Sequence, residues 1–121
     1  YPEGLIRCAE KLYGLLRRPI YITENGTCDN QDAFRCRYLY DHLKVICESL
    51  LPIERYYHWC FCDNFEWIEG ESARFGLVHV DYPTQQRTAK KSGTFLSAVI
   101  KNGGVSQELY DEYVKDEKYH Y

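Results

Sequence analysis

The chain has 121 residues, 45% of them hydrophobic and 16% aromatic, which allows one modest core and no more than one domain. A net charge of −3 with acids and bases interspersed excludes the basic face that a nucleic-acid partner needs. No apolar run approaches the roughly 20 residues that cross a bilayer, and the N-terminus lacks a charged-then-apolar signal pattern, so a soluble, cytoplasmic protein is expected, with no membrane partner.

Six cysteines could suggest a disulfide framework, but the chain is longer and more periodic than a stapled mini-domain. Cys60 and Cys62 fall at i, i+2 on an expected strand, and no C-x-x-C pair has a partner pair, so a zinc site is not expected. Reduced, buried thiols are the expectation. The 12 tyrosines fit a surface that holds planar, hydroxyl-rich ligands, although Tyr also packs at ordinary strand faces. There is no Met and the chain begins at Tyr1, so either its start was removed or it is a piece of something longer.

In chain order, residues 2–18 predict a helix with Leu5, Cys8, Ala9, Leu12, Leu15 and Leu16 on one face and Arg17-Arg18 at its cationic end. Pro19 stops it and starts a strand through Ile22, which runs directly into Glu24 and the turn formers Asn25-Gly26. A polar loop extends to Gln31. Asp32 is the expected N-cap of a second helix reaching about Ser49, with Leu39, Leu43, Ile46, Cys47 and Leu50 as its buried stripe.

After Pro52, an aromatic strand is expected from Arg55 to Phe61, followed by a loop, Cys62 to Arg74, that carries Phe65 and Trp67. Phe75 to Val80 predicts a short strand and Asp81 to Thr84 a turn. Thr88 is the expected cap of a helix to about Lys101, with Phe95, Val99 and Ile100 inward and Gly103-Gly104 ending it. A last short helix from Ser106 towards Lys115 completes the reading.

This alternation of helices and strands is the pattern of a parallel α/β sheet. Two parallel strands would leave both sheet edges bare, and a complete eight-stranded α/β barrel takes roughly 250 residues. The expectation is therefore the C-terminal fragment of a (β/α)8 TIM barrel, its last two βα units plus a preceding helix.

Two stretches carry chemistry. In the first, Glu24 is presented at the C-terminal end of a strand, where barrel enzymes collect catalytic groups. In the second, Trp59-Cys60-Phe61-Cys62-Asp63-Asn64-Phe65-Glu66-Trp67, indoles flank a carboxylate. An aromatic face stacks on the C–H side of a pyranose while a carboxylate accepts from adjacent hydroxyls.

Together, Ile22-Thr23-Glu24-Asn25-Gly26 and Asp63-Asn64-Phe65-Glu66-Trp67 resemble the closing part of glycoside hydrolase family 1, the β-glucosidase and β-galactosidase family. The resemblance extends to Tyr1-Pro2-Glu3-Gly4-Leu5, Asp41-His42-Leu43, Arg74-Phe75-Gly76-Leu77-Val78, Val80-Asp81-Tyr82, Arg87-Thr88 and Lys90-Lys91-Ser92. It covers about residues 1–104, and 105–121 form a tail without a recognised motif. It implies that Glu24 is the nucleophile of a retaining glycosidase, that Glu66 and Trp67 bind the outer hydroxyls of the glycone, that Trp59 floors the sugar and that Phe75 walls the pocket. The Glu66-Trp67 pair implies neutral rather than 6-phosphorylated sugars, presented as β-linked oligosaccharides or aryl or alkyl β-glycosides, with no metal or organic cofactor.

Where that family usually reads Trp-Ser-Leu-Leu-Asp-Asn, this chain has Trp59-Cys60-Phe61-Cys62-Asp63-Asn64, which keeps size and burial. The family's general acid/base lies on a Thr-x-Asn-Glu-Pro motif, and no Asn-Glu-Pro occurs here. General acid–base help is worth about 10²- to 10⁴-fold, so these residues alone are expected to be inactive. The other readings are a non-catalytic carbohydrate-binding or pseudoenzyme remnant, and a module that completes a barrel with a separate chain.

Overall fold

The computed structural model describes residues 1–119; residues 120 and 121 of the expected tail lie outside the described residues. Helix α1, Glu3–Leu16, opens after Pro2 with Glu3 in its first turn, where the helix dipole favours an acid. It closes at Arg17, which adopts φ 50° and donates its N–H to Tyr13 O. Strand β1, Ile20–Asn25, pairs in parallel with β2, Ile53–His58, and α2, Arg35–Glu48, is the crossover between them. Parallel strands require such a connection. The register sets Ile22 against Tyr56 and Asn25 against His58, with an irregularity between these pairs.

Beyond β2 the chain makes a single 3₁₀ turn, Trp67–Glu69, and then a hairpin of β3, Val78–Asp81, and β4, Gln86–Ala89. The 62–74 stretch is irregular, as expected, but a parallel bridge between Cys62 and Val78 ties its start to β3. Helix α3, Lys91–Asn102, ends at Gly103, whose φ of 70° lets its N–H reach the carbonyls of Val99 and Ile100. Helix α4, Gln107–Tyr113, is capped by Ser106, whose Oγ accepts from Leu109 N. The core is a cluster of Cys36, Leu39, Leu77, Phe95, Val99 and Val114, so α2, α3 and the tail share one interior.

The tail also supplies charge where two helices begin. Glu117 is buried, accepts from the backbone N–H of Arg37 in the first turn of α2 at 2.9 Å, and pairs with Lys91 Nζ at 2.8 Å at the start of α3. Thus α2, whose own N-cap Phe34 gives no side-chain bond, is capped by a residue from the far end of the chain.

Several expectations are corrected. Thr88 lies in β4 rather than capping α3, which begins at Lys91 with Lys90 as N-cap. Asp32 does not cap α2; its Oδ2 accepts from Ser92 N and its Oδ1 from Ser92 Oγ, while Asp29 Oδ2 accepts from Phe34 N at the entry to α2. β1 runs on to Asn25, β2 stops at His58 and β3 begins only at Val78. In α1 only Ala9 is buried, and Leu12, Leu15 and Leu16 are exposed, because among the described elements α1 packs mainly on α2. Leu50 and Ile100 are likewise exposed, and of the cysteines, all free, Cys8, Cys28 and Cys47 are exposed rather than buried.

The sequence pattern predicts both Phe95 and Ile100 to face inward, yet they are 0% and 72% exposed. Phe95→Ala should therefore destabilise the protein by about 3–5 kcal/mol in urea unfolding, and Ile100→Ala by less than about 1 kcal/mol.

Candidate active site

The parallel pair β1–β2 brings its two C-terminal ends together, and the candidate site is built there. Glu24 is exposed on β1, and the residue after it is held firmly. Asn25 O accepts from Trp59 N at 3.0 Å, and Asn25 Oδ1 accepts from the Tyr56 hydroxyl at 2.9 Å. Gly26 passes so close to Trp59 that a Cβ there would lie 1.7 Å from the Trp59 carbonyl oxygen, and Gly26 O accepts from the Tyr38 hydroxyl at 3.0 Å. The Asn-Gly pair is thus a close backbone approach as well as a turn.

Trp59 connects this strand end to Glu66. Its indole N–H lies 3.4 Å from Glu66 Oε2, and Asn64 Nδ2 donates to the same oxygen at 3.0 Å. Trp59 is half-buried, and the Trp59–Cys60 peptide is cis. Phe75 is half-buried and its carbonyl accepts from Cys60 N at 3.3 Å, which ties it to the residue after Trp59. Trp67 is 82% exposed at the tip of the loop and makes no side-chain hydrogen bond among the described residues. The structure therefore links Trp59, Glu66 and the neighbour of Glu24 by direct bonds, reaches Phe75 through backbone, and leaves Trp67 on an open rim.

The loop behind Glu24 and the loop that carries Glu66 are fastened to each other. Asn30 donates to Ser72 O at 3.0 Å and its Oδ1 accepts from Arg74 N at 2.9 Å. Arg35 is fully buried; it donates to Asp29 O at 2.8 Å and Arg74 O at 2.7 Å, and pairs with Asp32. The sequence does not single out Asn30, Arg35 or Tyr56 for this, and it predicts Asp32 only as a cap. Arg35 within an otherwise apolar-faced helix, without an acid at i+4, was the available signal.

Asp63 anchors the Glu66 loop. Its side chain is 0% exposed and meets Lys90 Nζ at 2.8 Å, Gly76 N at 2.9 Å, Arg74 at 3.3 Å, Val80 N at 3.4 Å and His79 Nδ1 at 3.4 Å. Burial raises its pKa, but Lys90 together with the Gly76 and Val80 N–H groups more than offsets this, so the carboxyl stays below the usual range. His58, at the end of β2, is pushed down to about 4, first by burial and then by Arg35, against a raising contribution from the Phe75 backbone. It is therefore neutral at working pH.

Two grooves lie away from the strand ends. A groove of about 540 Å³ between α2 and α3 is lined by Leu43, Cys47, Val99 and Ile100, and one of about 560 Å³ separates α1 from α2. Neither contains Glu24, Glu66 or either tryptophan, and the first is apolar, with charge only from Lys44 and Glu48, which pair with each other. The Trp59–Glu66 pair bonded to the end of β1 marks the strand ends as the candidate site. Among the described residues no cluster of three or more His, Cys, Asp or Glu is arranged to hold a metal, and no helix is long and apolar enough to cross a membrane.

Comparison with known proteins identifies the family of the chain. Glycosyl hydrolase family 1 matches over residues 1–105. A β-glucosidase from Agrobacterium sp. is 42% identical over 82% of this chain and 24% of its own length, and a β-galactosidase from Pyrococcus woesei is 36% identical over 95% and 23%. The crystal structure of the β-glycosidase from Thermosphaera aggregans superposes with a TM-score of 0.86 at 33% identity, over 94% of this chain and 24% of that one. The chain belongs to glycosyl hydrolase family 1. It spans about a quarter of the length of the curated relatives it matches.

Two outcomes test the site's construction. Asp63→Asn leaves Lys90 buried without its partner and should cost about 3–5 kcal/mol at pH 7 in urea unfolding. Because the folded carboxyl is depressed, its contribution is complete above the unfolded value of about 3.9 and is lost as pH falls through the folded value, so the difference between the two proteins should narrow on acidification below about pH 4. Gly26→Ala would set a Cβ 1.7 Å from the Trp59 carbonyl oxygen and should lower stability in urea unfolding by about 1–3 kcal/mol, whereas unchanged stability would contradict the close approach.

Proposed function

We propose that this chain is the closing part of the (β/α)8 barrel of a retaining β-glycosidase, with residues 1–104 forming the barrel portion and 105–121 a tail. Glu24 is the nucleophile: its carboxylate attacks the anomeric carbon, the glycosidic C–O bond breaks, and a covalent glycosyl-enzyme forms that water then hydrolyses. Glu66 accepts from the outer hydroxyls of the glycone and Trp67 helps there, Trp59 floors the sugar, and Phe75 walls the same pocket. The proton for the leaving oxygen must come from an acid outside these residues, so the segment alone does not turn over. The substrate is a neutral β-linked oligosaccharide or an aryl or alkyl β-glycoside, and no metal or organic cofactor takes part.

The observation that carries this reading is the bonded chain from Asn25 through Trp59 to Glu66, which sets an aromatic face and a second carboxylate beside the strand end that bears Glu24. The exposed apolar face of α1, together with a β1–β2 sheet of only two strands, supports continuation of the barrel by further segments. Names among the relatives include both β-glucosidase and β-galactosidase, so the reading extends to the β-glycoside class rather than to one epimer.

The test uses the full-length protein. Glu24→Gln should lower kcat on an aryl β-glucoside by at least about 10³-fold while calorimetric sugar affinity persists, as expected when a nucleophile is removed from an intact binding site. An unchanged rate would overturn the assignment.

A further inference from the structure

Glu66 is held by only one of its oxygens. Oε2 accepts from Asn64 Nδ2 at 3.0 Å and from the Trp59 indole at 3.4 Å, whereas among the described residues no protein group donates to Oε1. Whether Asn64 can hold this carboxylate at all depends on how its amide is turned.

That amide has one orientation that suits all its neighbours. Its Oδ1 lies 3.1 Å from Cys60 Sγ, and the Asn64 backbone carbonyl accepts from the Tyr82 hydroxyl at 2.9 Å. The thiol is a donor, while an ionised carboxylate only accepts. Turning the amide oxygen to Cys60 and its nitrogen to Glu66 satisfies both; the exchanged orientation would set oxygen against carboxylate and leave nitrogen on a weak sulfur acceptor. The thiol proton has two acceptors within reach, Asn64 Oδ1 and the Cys62 carbonyl at 2.9 Å. Burial, and then the nearby Asp63 and Glu66 charges, push the Cys60 thiol up to about 11, so the proton is retained at working pH.

We propose that Asn64 is a positioning residue that fixes the orientation in which the Glu66 carboxylate meets the sugar, and that the Cys60 thiol helps hold the amide of Asn64, whose nitrogen also donates to Phe65 O at 3.3 Å. The inference rests on Glu66 being a sugar ligand, and it deepens that reading by assigning glycone recognition to a relay, Cys60 to Asn64 to Glu66. A serine at position 60 could serve the same relay, because a hydroxyl donates to the same amide oxygen.

A double-mutant cycle in the full-length protein tests it. Asn64→Ala should lower kcat/KM about 10-fold on an aryl β-glycoside, the loss expected for one hydrogen bond to a charged group, and should add less than about twofold in a Glu66→Ala background. On deoxy glycosides lacking in turn each outer hydroxyl, the effect should vanish for the hydroxyl that Glu66 holds. Cys60→Ala should lose part of the same factor and Cys60→Ser should retain activity. Should Asn64→Ala fail to fold, Asn64→Asp, nearly isosteric, turns an acceptor on Glu66, and its loss should deepen as rising pH ionises the second carboxylate.

Additive losses, an equal loss on every deoxy substrate, or an Asn64→Asp enzyme with unchanged rates would overturn the relay in an otherwise active enzyme. If the unmutated protein neither hydrolyses nor binds aryl β-glycosides, the functional reading falls and the relay falls with it.

Discussion

A single carboxylate enclosed by protein, Asp63, holds the site together. Its two oxygens are divided among a lysine, an arginine, a histidine and two backbone N–H groups that come from β3, from the 74–76 stretch and from the start of α3. An unpaired charge in that position would be costly, so the carboxylate depends on the donors supplied by Lys90, Arg74, Gly76 N and Val80 N. The consequence is local rigidity. Three residues along the chain, Glu66 leaves the anchored segment with its backbone N–H on Gly70 O at 2.7 Å and its carboxylate on Asn64 and Trp59.

Trp59 transmits this rigidity to the strand end. Its backbone N–H extends the β1–β2 ladder by one bond to Asn25, and its indole reaches Glu66. Arg35 and Asn30 fasten the two loops independently, so the segment after Glu24 and the segment before Phe75 are joined at several points. Preorganisation of this kind is what a site needs if charge is to develop at a fixed place. The exposed Trp67 and Phe65 leave one side of it open.

Much of this was legible in the residues. The apolar run from Ile20 into Glu24, the stop at Pro19 and the spacing of Leu39 and Phe95 each led to an element that exists. The hairpin strand β4 was not legible because all of Gln86–Ala89 is exposed and carries no alternation of apolar and polar residues. Thr88 looked like a helix cap for the same reason. The apolar face of α1 was legible as a pattern, yet Leu12, Leu15 and Leu16 are exposed, since periodicity marks an apolar face without naming the element that packs on it, and α1 packs mainly on α2. The Asp63 and Arg35 networks escaped because they join residues that a linear reading cannot place next to one another; Lys90 and Asp63 stand 27 positions apart.

The proposed role of Glu24 as nucleophile requires a covalent bond between its carboxylate and the sugar. An aryl 2-deoxy-2-fluoro β-glycoside destabilises the transition states of both steps while keeping a reactive leaving group, so a glycosyl-enzyme should accumulate in the full-length protein. Proteolysis and mass spectrometry should place one glycosyl group on the peptide containing Glu24 and nowhere else. Label on Glu66 or on another carboxylate, or hydrolysis without any trapped intermediate, would contradict the account.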